Sequence, residues 1–403
     1  MIPCRHVVLQ SPDILSGIFA HLDQADLARA LRVCRLWNEW NDTLWSNLPT
    51  LAPVLRLVFP FVFTNDSDKY IHRVPLYQLD RHRFTSIARS VRHLDASLAP
   101  SRSFFSGFNP NIPALLLDLC EPCTLLFHNL RSLATECYND AELLGVLSLL
   151  APSLRSLDIL IHHSASDYMY ELLSGIKDRT NQLERLCIHY QQQEKSSDAA
   201  SVNDASVPRN TDSYVYLPPI VPALVKSLRT LSIPAPCMSI DTLFALSRLP
   251  LLESLAFTGI WASETHEDDW PELDSYAFSA LSRLVMPSCS VRAAARLLLA
   301  IPFSAPLGEI DITCSGEGGS ELSELCSAMV RFKVSLHSVC IKIPHPGRVQ
   351  DALEALTVCS RLETLVLDTD TPTDLSDVEL GAFFSRFPRM RAARVGGYMR
   401  VRD

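Results

Sequence analysis

The 403-residue sequence lacks any apolar run long enough to cross a bilayer. Its longest runs, Leu143 to Pro152 and Ala293 to Pro302, are about half of what a membrane helix needs. The first residues also lack the basic, apolar and small-residue order of a secretory signal. No membrane is expected, and a cytoplasmic and/or nuclear location follows as the expectation. There is no excess of basic charge either: the formal net charge of −9 argues against general nucleic-acid binding. Two local arginine clusters stand out against that background, Arg81, Arg83, Arg89 and Arg92, and Arg386, Arg389, Arg391 and Arg394. At element ends such clusters are ordinarily solvated edges. The twelve cysteines are scattered among aliphatic residues, without a secretion signal or a second pair to match Cys120 and Cys123. Buried free thiols are the expectation, and no metal site. Catalytic motifs are missing as well. Gly316 to Gly319 has no following Lys-Ser/Thr, there is no G-x-S-x-G and no H-E-x-x-H. His162 and His163 have no suitably spaced third ligand, and Asp368 and Asp370 read as turn caps. The expectation is a non-enzyme that needs no cofactor.

What is present falls into three parts: a head at residues 1–50, an apolar linker and cap at 51–89, and a long array at 90–403. In the head, Ser11, Pro12 and Asp13 make a helix start, combining a capping hydroxyl, a pre-set φ and a negative charge at the positive end of the dipole. Ile14, Leu15, Ile18, Phe19 and Leu22 follow at three- and four-residue spacing, and Leu27, Leu31 and Cys34 continue it, with Val33 and Trp37 beside them. Some thirty-five residues cannot enclose so many large side chains. The stretch is either a self-contained helical core or a surface partly open for a partner helix. In the linker, 51–63 is strongly apolar, 65–68 is rich in turn formers, and Gln78 to Arg92 regains helical spacing.

The array repeats the form L-x-x-L-x-L. Its central apolar residues are Leu133, Leu157, Leu186, Leu231, Leu255, Leu284, Ile310, Val339 and Leu365, at spacings of 24, 29, 45, 24, 29, 26, 29 and 26 residues. Weaker copies lie at Val91 and at Met390. Helical segments are expected between the strands, over 140–150, 167–176, 241–249, 291–300, 320–330, 349–358 and 376–387. The long spacing coincides with a polar insertion at 191–216, too poor in apolar residues to fold alone. A second, acidic loop spans 263–274 and carries Trp270. Repeated strand-helix units of this period resemble a leucine-rich-repeat array. The resemblance implies an α/β solenoid, a horseshoe with a parallel inner sheet, behind the α-helical head. Cys289 is the one clear substitute for the asparagine that often ends the family's strand segment. Residues alternating with the buried ones would line the concave face. Arg283, Glu309, Asp311, Lys342 and Asp368 are the candidate target-binding residues there.

The head resembles an F-box. The resemblance rests on Pro12 to Leu15, Ile18, Phe19, Leu22, Asp26 to Ala28, Arg32 to Arg35, Trp37, Leu44 and Trp45. One departure is visible: the family usually opens Leu-Pro, and here Pro12 follows Ser11. The resemblance implies binding to a Skp1-type adaptor in a cullin–RING ubiquitin ligase, with this chain as substrate-recognition subunit. Pro12, Ile14, Leu15, Ile18, Leu22, Leu27, Val33, Cys34 and Trp37 would then face the adaptor. The alternative is a non-degradative scaffold or regulator that binds an unknown protein target through the repeats alone.

Overall fold

The computed structural model describes residues 11, 14, 15, 18, 26, 46–49, 51, 54, 61–63, 70–72, 87–96, 126–162, 168–191, 227–234, 240–258, 273–314, 321–345, 349–370, 375–396 and 398–401. The chain divides into two compact units, Met1–Leu183 and Glu184–Asp403. The boundary falls inside the repetitive stretch. Most of the polar insertion and of the acidic loop lies outside the described residues, as do Cys120 and Cys123.

In the first unit, strands β1 (Asn47–Leu48), β4 (His93–Asp95), β5 (Ser132–Cys137) and β6 (Ser156–His162) pair in that order, all parallel. A separate antiparallel hairpin joins β2 (Phe61–Phe63) to β3 (Tyr70–His72), with the turn-rich residues of the linker between them. The register aligns Leu48, Leu94, Leu133 and Leu157 across the four parallel strands. All four are buried. This alignment is why the repeat works. A parallel pair needs a long crossover, and each crossover returns the chain so that the same leucine reaches the same rung. Fully burying such a side chain contributes about 1.5–3 kcal/mol. The crossovers carry helix α1 (Asp140–Leu149) and helix α2 (Met169–Arg179). Gly175 lets these helices approach: a Cβ there would lie 2.5 Å from Leu147 Cδ2. Asn139 caps α1, its side chain accepting from the Glu142 N–H at 3.0 Å, while Glu142 Oε2 accepts from the Tyr138 N–H at 2.9 Å.

The second unit repeats the plan. Strands β7 (Arg185–Gln191), β8 (Thr230–Pro234), β9 (Ser254–Thr258), β10 (Arg283–Cys289), β11 (Glu309–Cys314), β12 (Ser338–Ile343), β13 (Thr364–Thr369) and β14 (Ala392–Val395) pair in sequence order, all parallel. Leu186, Leu231, Leu255, Leu284, Ile310, Val339, Leu365 and Ala393 form one buried ladder across them. Strand β15 (Tyr398–Val401) turns back antiparallel on β14. Helices α3 (Ile240–Ser247), α4 (Val291–Ala300), α5 (Glu321–Met329), α6 (Val349–Leu356) and α7 (Asp377–Phe384) occupy the crossovers, and α4, α5 and α6 pack side by side. Ser290 caps α4 and Ser376 caps α7, the latter with Glu379 in a reciprocal capping box.

The crossover between β9 and β10 closes differently. Phe278 holds φ at 53°, a left-handed conformation that a bulky residue adopts only where its surroundings over-determine it. Its ring is fully buried and its N–H donates to Ser247 O at 2.8 Å. Cysteines behave as core atoms: Cys137, Cys289 and Cys314 are the last residues of β5, β10 and β11, all buried and free. The Cys289 thiol donates a weak hydrogen bond to Thr313 O at 3.9 Å. Among the described residues no helix is long and apolar enough to cross a membrane.

Candidate functional site

The first surface is the opening helix of the head. Leu15 N–H donates to Ser11 O at 3.0 Å, so helical bonding starts at Ser11, where the sequence places its cap. One turn then splits into two environments. Leu15 is 1% exposed, whereas Ile14 is 41% and Ile18 38% exposed. Ile14 and Ile18 lie four residues apart and so share a helix face. Asp26 is helical and exposed. Pro12, Leu22, Leu27, Val33, Cys34 and Trp37 lie outside the described residues. An isoleucine pair left in water is what a partner's apolar groove would cover. Leu15 belongs to the interior, so changing it perturbs folding before it perturbs binding.

The second surface is the open face of the strands in Glu184–Asp403. Burial alternates along β11, β12 and β14 as the sequence pattern predicts, whereas Leu231 to Pro234 of β8 are buried without a break. Arg283, Glu309, Asp311, Lys342 and Asp368 all emerge on the accessible face. They do not form one cluster. Arg283 and Glu309 are partners across β10 and β11, with Nε and Oε2 3.6 Å apart. Glu309 also meets His337 Nε2 at 3.5 Å. Lys342 and Asp368 are partners across β12 and β13, and Asp368 is held at 3.1 Å by Arg394. Asp311 lies on the middle rung between Val285 and Cys340. Burial first, then the Asp311 carboxylate, pushes the Cys340 thiol up to about 11, so this half-exposed cysteine stays protonated and weakly nucleophilic. Sequence reasoning found the acids and bases of this face but not that Arg394 pairs with Asp368 or that His337 meets Glu309. Their signal was positional: Arg394 stands on the strand next to that of Asp368, and His337 immediately before the strand next to that of Glu309.

In Met1–Leu183 the open face carries a polar cluster of which the sequence analysis singled out only His162. Glu136 Oε2 accepts from the Tyr138 hydroxyl at 2.6 Å and lies 3.1 Å from His162 Nε2, and the Tyr138 and His162 rings stack at 4.1 Å. The cluster joins the ends of β5 and β6 and rigidifies that part of the face.

Residues 12–48 match the F-box-like family model, so this segment is an F-box-like domain. No curated protein matches the chain. The solved structures that resemble it include the crystal structure of the Rad7 and Elc1 complex in yeast, 13% identical, covering 95% of this chain and 86% of that one with a TM-score of 0.37.

Proposed function

We propose that this chain is the substrate-recognition subunit of a Skp1–cullin–F-box type ubiquitin ligase. The head joins a Skp1-type adaptor, and the strand face of the repeats holds a target protein. The ligase partners supply the transfer chemistry, and this chain is not itself an enzyme. The observation that carries the reading is the F-box-like match over residues 12–48, supported by two isoleucines of that segment left exposed on one helix face. With Ile14 and Ile18, the residues expected at the adaptor are Pro12, Leu22, Leu27, Val33, Cys34 and Trp37. Several such side chains buried together outweigh the cost of association. Arg283, Glu309, Asp311, Lys342 and Asp368 are proposed to contact the target, exchanging their neighbours within the face for groups of the bound protein.

The test is affinity purification of the full chain beside an Ile14→Asp/Ile18→Asp chain, with bound proteins identified by mass spectrometry. The expected result is adaptor, cullin and RING subunits with the first chain and not with the second, at equal thermal stability. Recovery of the adaptor by both would sink the assigned surface. A chain that retains partner proteins but never a cullin would instead be the non-degradative scaffold.

A further inference from the structure

In Glu184–Asp403 one exposed apolar side chain recurs where each crossover leads into its strand. Leu251 precedes β9, Tyr276 β10, Phe303 β11, Val334 β12 and Val358 β13, so five consecutive crossovers carry one each. Tyr276 is 87% and Phe303 74% exposed, more than either isoleucine of the head. Each loop is tied to the next. The Phe278 N–H, two residues after Tyr276, donates to Ser247 O at the end of α3 at 2.8 Å. Ser304 Oγ donates to Ser275 O at 2.6 Å. Ser335 Oγ donates to Leu307 O at 2.8 Å, and Arg331 Nη1 to Leu299 O. Burial pushes the Cys359 thiol up to about 11 while Lys333 pulls against it, which sets that ammonium beside the Val358 loop. The five side chains therefore follow one another as a ridge along the edge where the strands begin.

The ridge is a feature of this unit. In the loops before β5 and β6 of Met1–Leu183, Phe127, Leu130, Ala151 and Leu154 are buried. The ridge is also basic. Its loops are residues 248–252, 274–281, 301–308, 330–336 and 357–362, and four of their five charged residues are basic: Arg248, Arg331, Lys333 and Arg361, against Asp274. The chain as a whole carries −9, so this edge runs against the charge of the molecule. Contiguous exposed apolar surface marks sites of interaction, and the sign of the charge beside it selects the partner. A second copy laid ridge to ridge would bring the same positive groups and be repelled. An anionic bilayer would face the negative charge of the whole molecule. A peptide lying on the ridge feels only the charges within a Debye length, about 8 Å at physiological salt.

We propose that this edge is a docking surface for an acidic protein segment bearing spaced apolar side chains, with Tyr276 and Phe303 as its central apolar contacts and Lys333 and Arg361 as its charged ones. The partner's apolar side chains cover the ridge, and its carboxylates meet the basic groups beside it. The aromatic rings gain most from such cover, since they offer a large area at a low cost in rotamer freedom. Length follows from spacing. Neighbouring strands are about 4.8 Å apart and packed helices about 8–10 Å, so loops between the two layers step by an intermediate distance. An extended chain returns to the same face every second residue, about 6.6 Å on, so about ten residues present five side chains to five loops. The surface is separate from the strand face proposed for the target and from the head, and it does not rest on the ligase reading.

The experiment is fluorescence anisotropy of the purified full chain with a labelled peptide of about ten residues in which leucine alternates with glutamate. The controls are the same peptide with lysine for glutamate and with serine for leucine. The acidic apolar peptide is expected to bind about tenfold or more tightly than either control. Tyr276→Ser with Phe303→Ser is expected to remove about tenfold or more of that affinity, and Lys333→Glu with Arg361→Glu a comparable share. Melting temperatures should stay unchanged, because all four side chains are exposed. Val378→Ser, at an exposed apolar residue of α7 outside the ridge, is expected to change nothing. Equal binding of the three peptides, full affinity in either double variant, or an equal loss in Val378→Ser would overturn the proposal. Three further results would overturn it by naming another occupant. Tighter association with phosphatidylserine vesicles than with the peptide would give the edge to a membrane. Dimers that Tyr276→Ser with Phe303→Ser abolishes would give it to a second copy. Tighter binding of a peptide copying residues 263–272 would give it to the chain's own acidic segment. Because the readout needs no adaptor, its failure leaves the ligase reading untouched.

Discussion

The two units bury the same ladder and differ at its entrance. Ahead of the strands the first unit carries Arg92, Arg131 and Arg155, and the second carries Glu184, Arg229, Glu253, Ser282, Gly308, His337, Glu363 and Arg391. Within each unit the backbone treats these positions alike, since the N–H of one rung donates to the carbonyl of the rung before it. Side-chain chemistry there is consequently free of the fold. One unit spends that freedom on charge pairs that cancel within the face; in the other, no ion pair among the described residues holds Arg92 or Arg131. Gly308 shows how local the accommodation is: a Cβ there would lie 2.5 Å from the His337 ring, so the missing side chain makes room for the imidazole that reaches Glu309.

The largest effects test whether the cores are equivalent. Leu157→Ala in the first unit and Leu365→Ala in the second, both buried, are each expected to cost about 2–5 kcal/mol in chemical denaturation. A neutral result in either would break the equivalence. Next come the helix caps. Asn139→Ala and Ser376→Ala should each cost about 1 kcal/mol, read from thermal melts. The second carries a pH signature. Hydrogen bonds from the Ser376 backbone and hydroxyl hold the Glu379 carboxyl below the usual range. Its contribution is therefore complete above the ordinary glutamate pKa and fades as pH falls through the lowered folded value, and Ser376→Ala, which removes the hydroxyl but keeps the backbone donor, should weaken that dependence.

Smaller effects sharpen the contrast at the entrance. Arg131→Glu should stabilise the first unit and Glu253→Arg destabilise the second, each by about 0.5 kcal/mol or less. Both differences should vanish near about 1 M salt, where screening is strong. Equal signs would show that the columns are not electrostatically distinct. The smallest effect is spectroscopic. The folded pKa of His93 lies below its unfolded value, so the unfolded chain takes up the proton first as pH falls. Stability declines from the ordinary histidine pKa down to the folded one. Arg131→Gln should move the His93 titration upward in an NMR pH series.

Most of the array is legible from the leucines. Every strand from β5 to β13 begins one residue before its central apolar residue, and each of those nine residues is buried. The weaker copies at Val91 and Met390 also become strands, β4 and β14. Helix α4 coincides with its expected span, because Ser290 caps it and Pro302 follows closely. What the periodicity did not carry is what repeats do not encode. Asn47 and Leu48 supply a short strand whose neighbours, Ser46 and Pro49, read as helix end and turn. β2 is a single apolar triplet and β3 a triplet ending in His72, both too short for alternation to reveal them. On the candidate surfaces, accessibility of the five charged residues followed from alternation, whereas their salt-bridge partners required the register. The burial of Leu15 beside exposed Ile14 and Ile18 is a matter of which side of one turn meets the interior, and spacing alone treats all three as one stripe.

Strand β15 has a consequence for solubility. A parallel ladder ends in a row of unused N–H and C=O groups, and a further strand from any molecule can add to it. By folding back antiparallel, Tyr398 to Val401 fill the hydrogen-bonding positions along β14 that a ninth parallel rung would have used. The turn is made at Gly396, whose positive φ of 55° suits a residue without a side chain. Four residues thus exchange the last parallel edge for a short antiparallel one, and a very short edge strand is a poorer template for another copy's sheet.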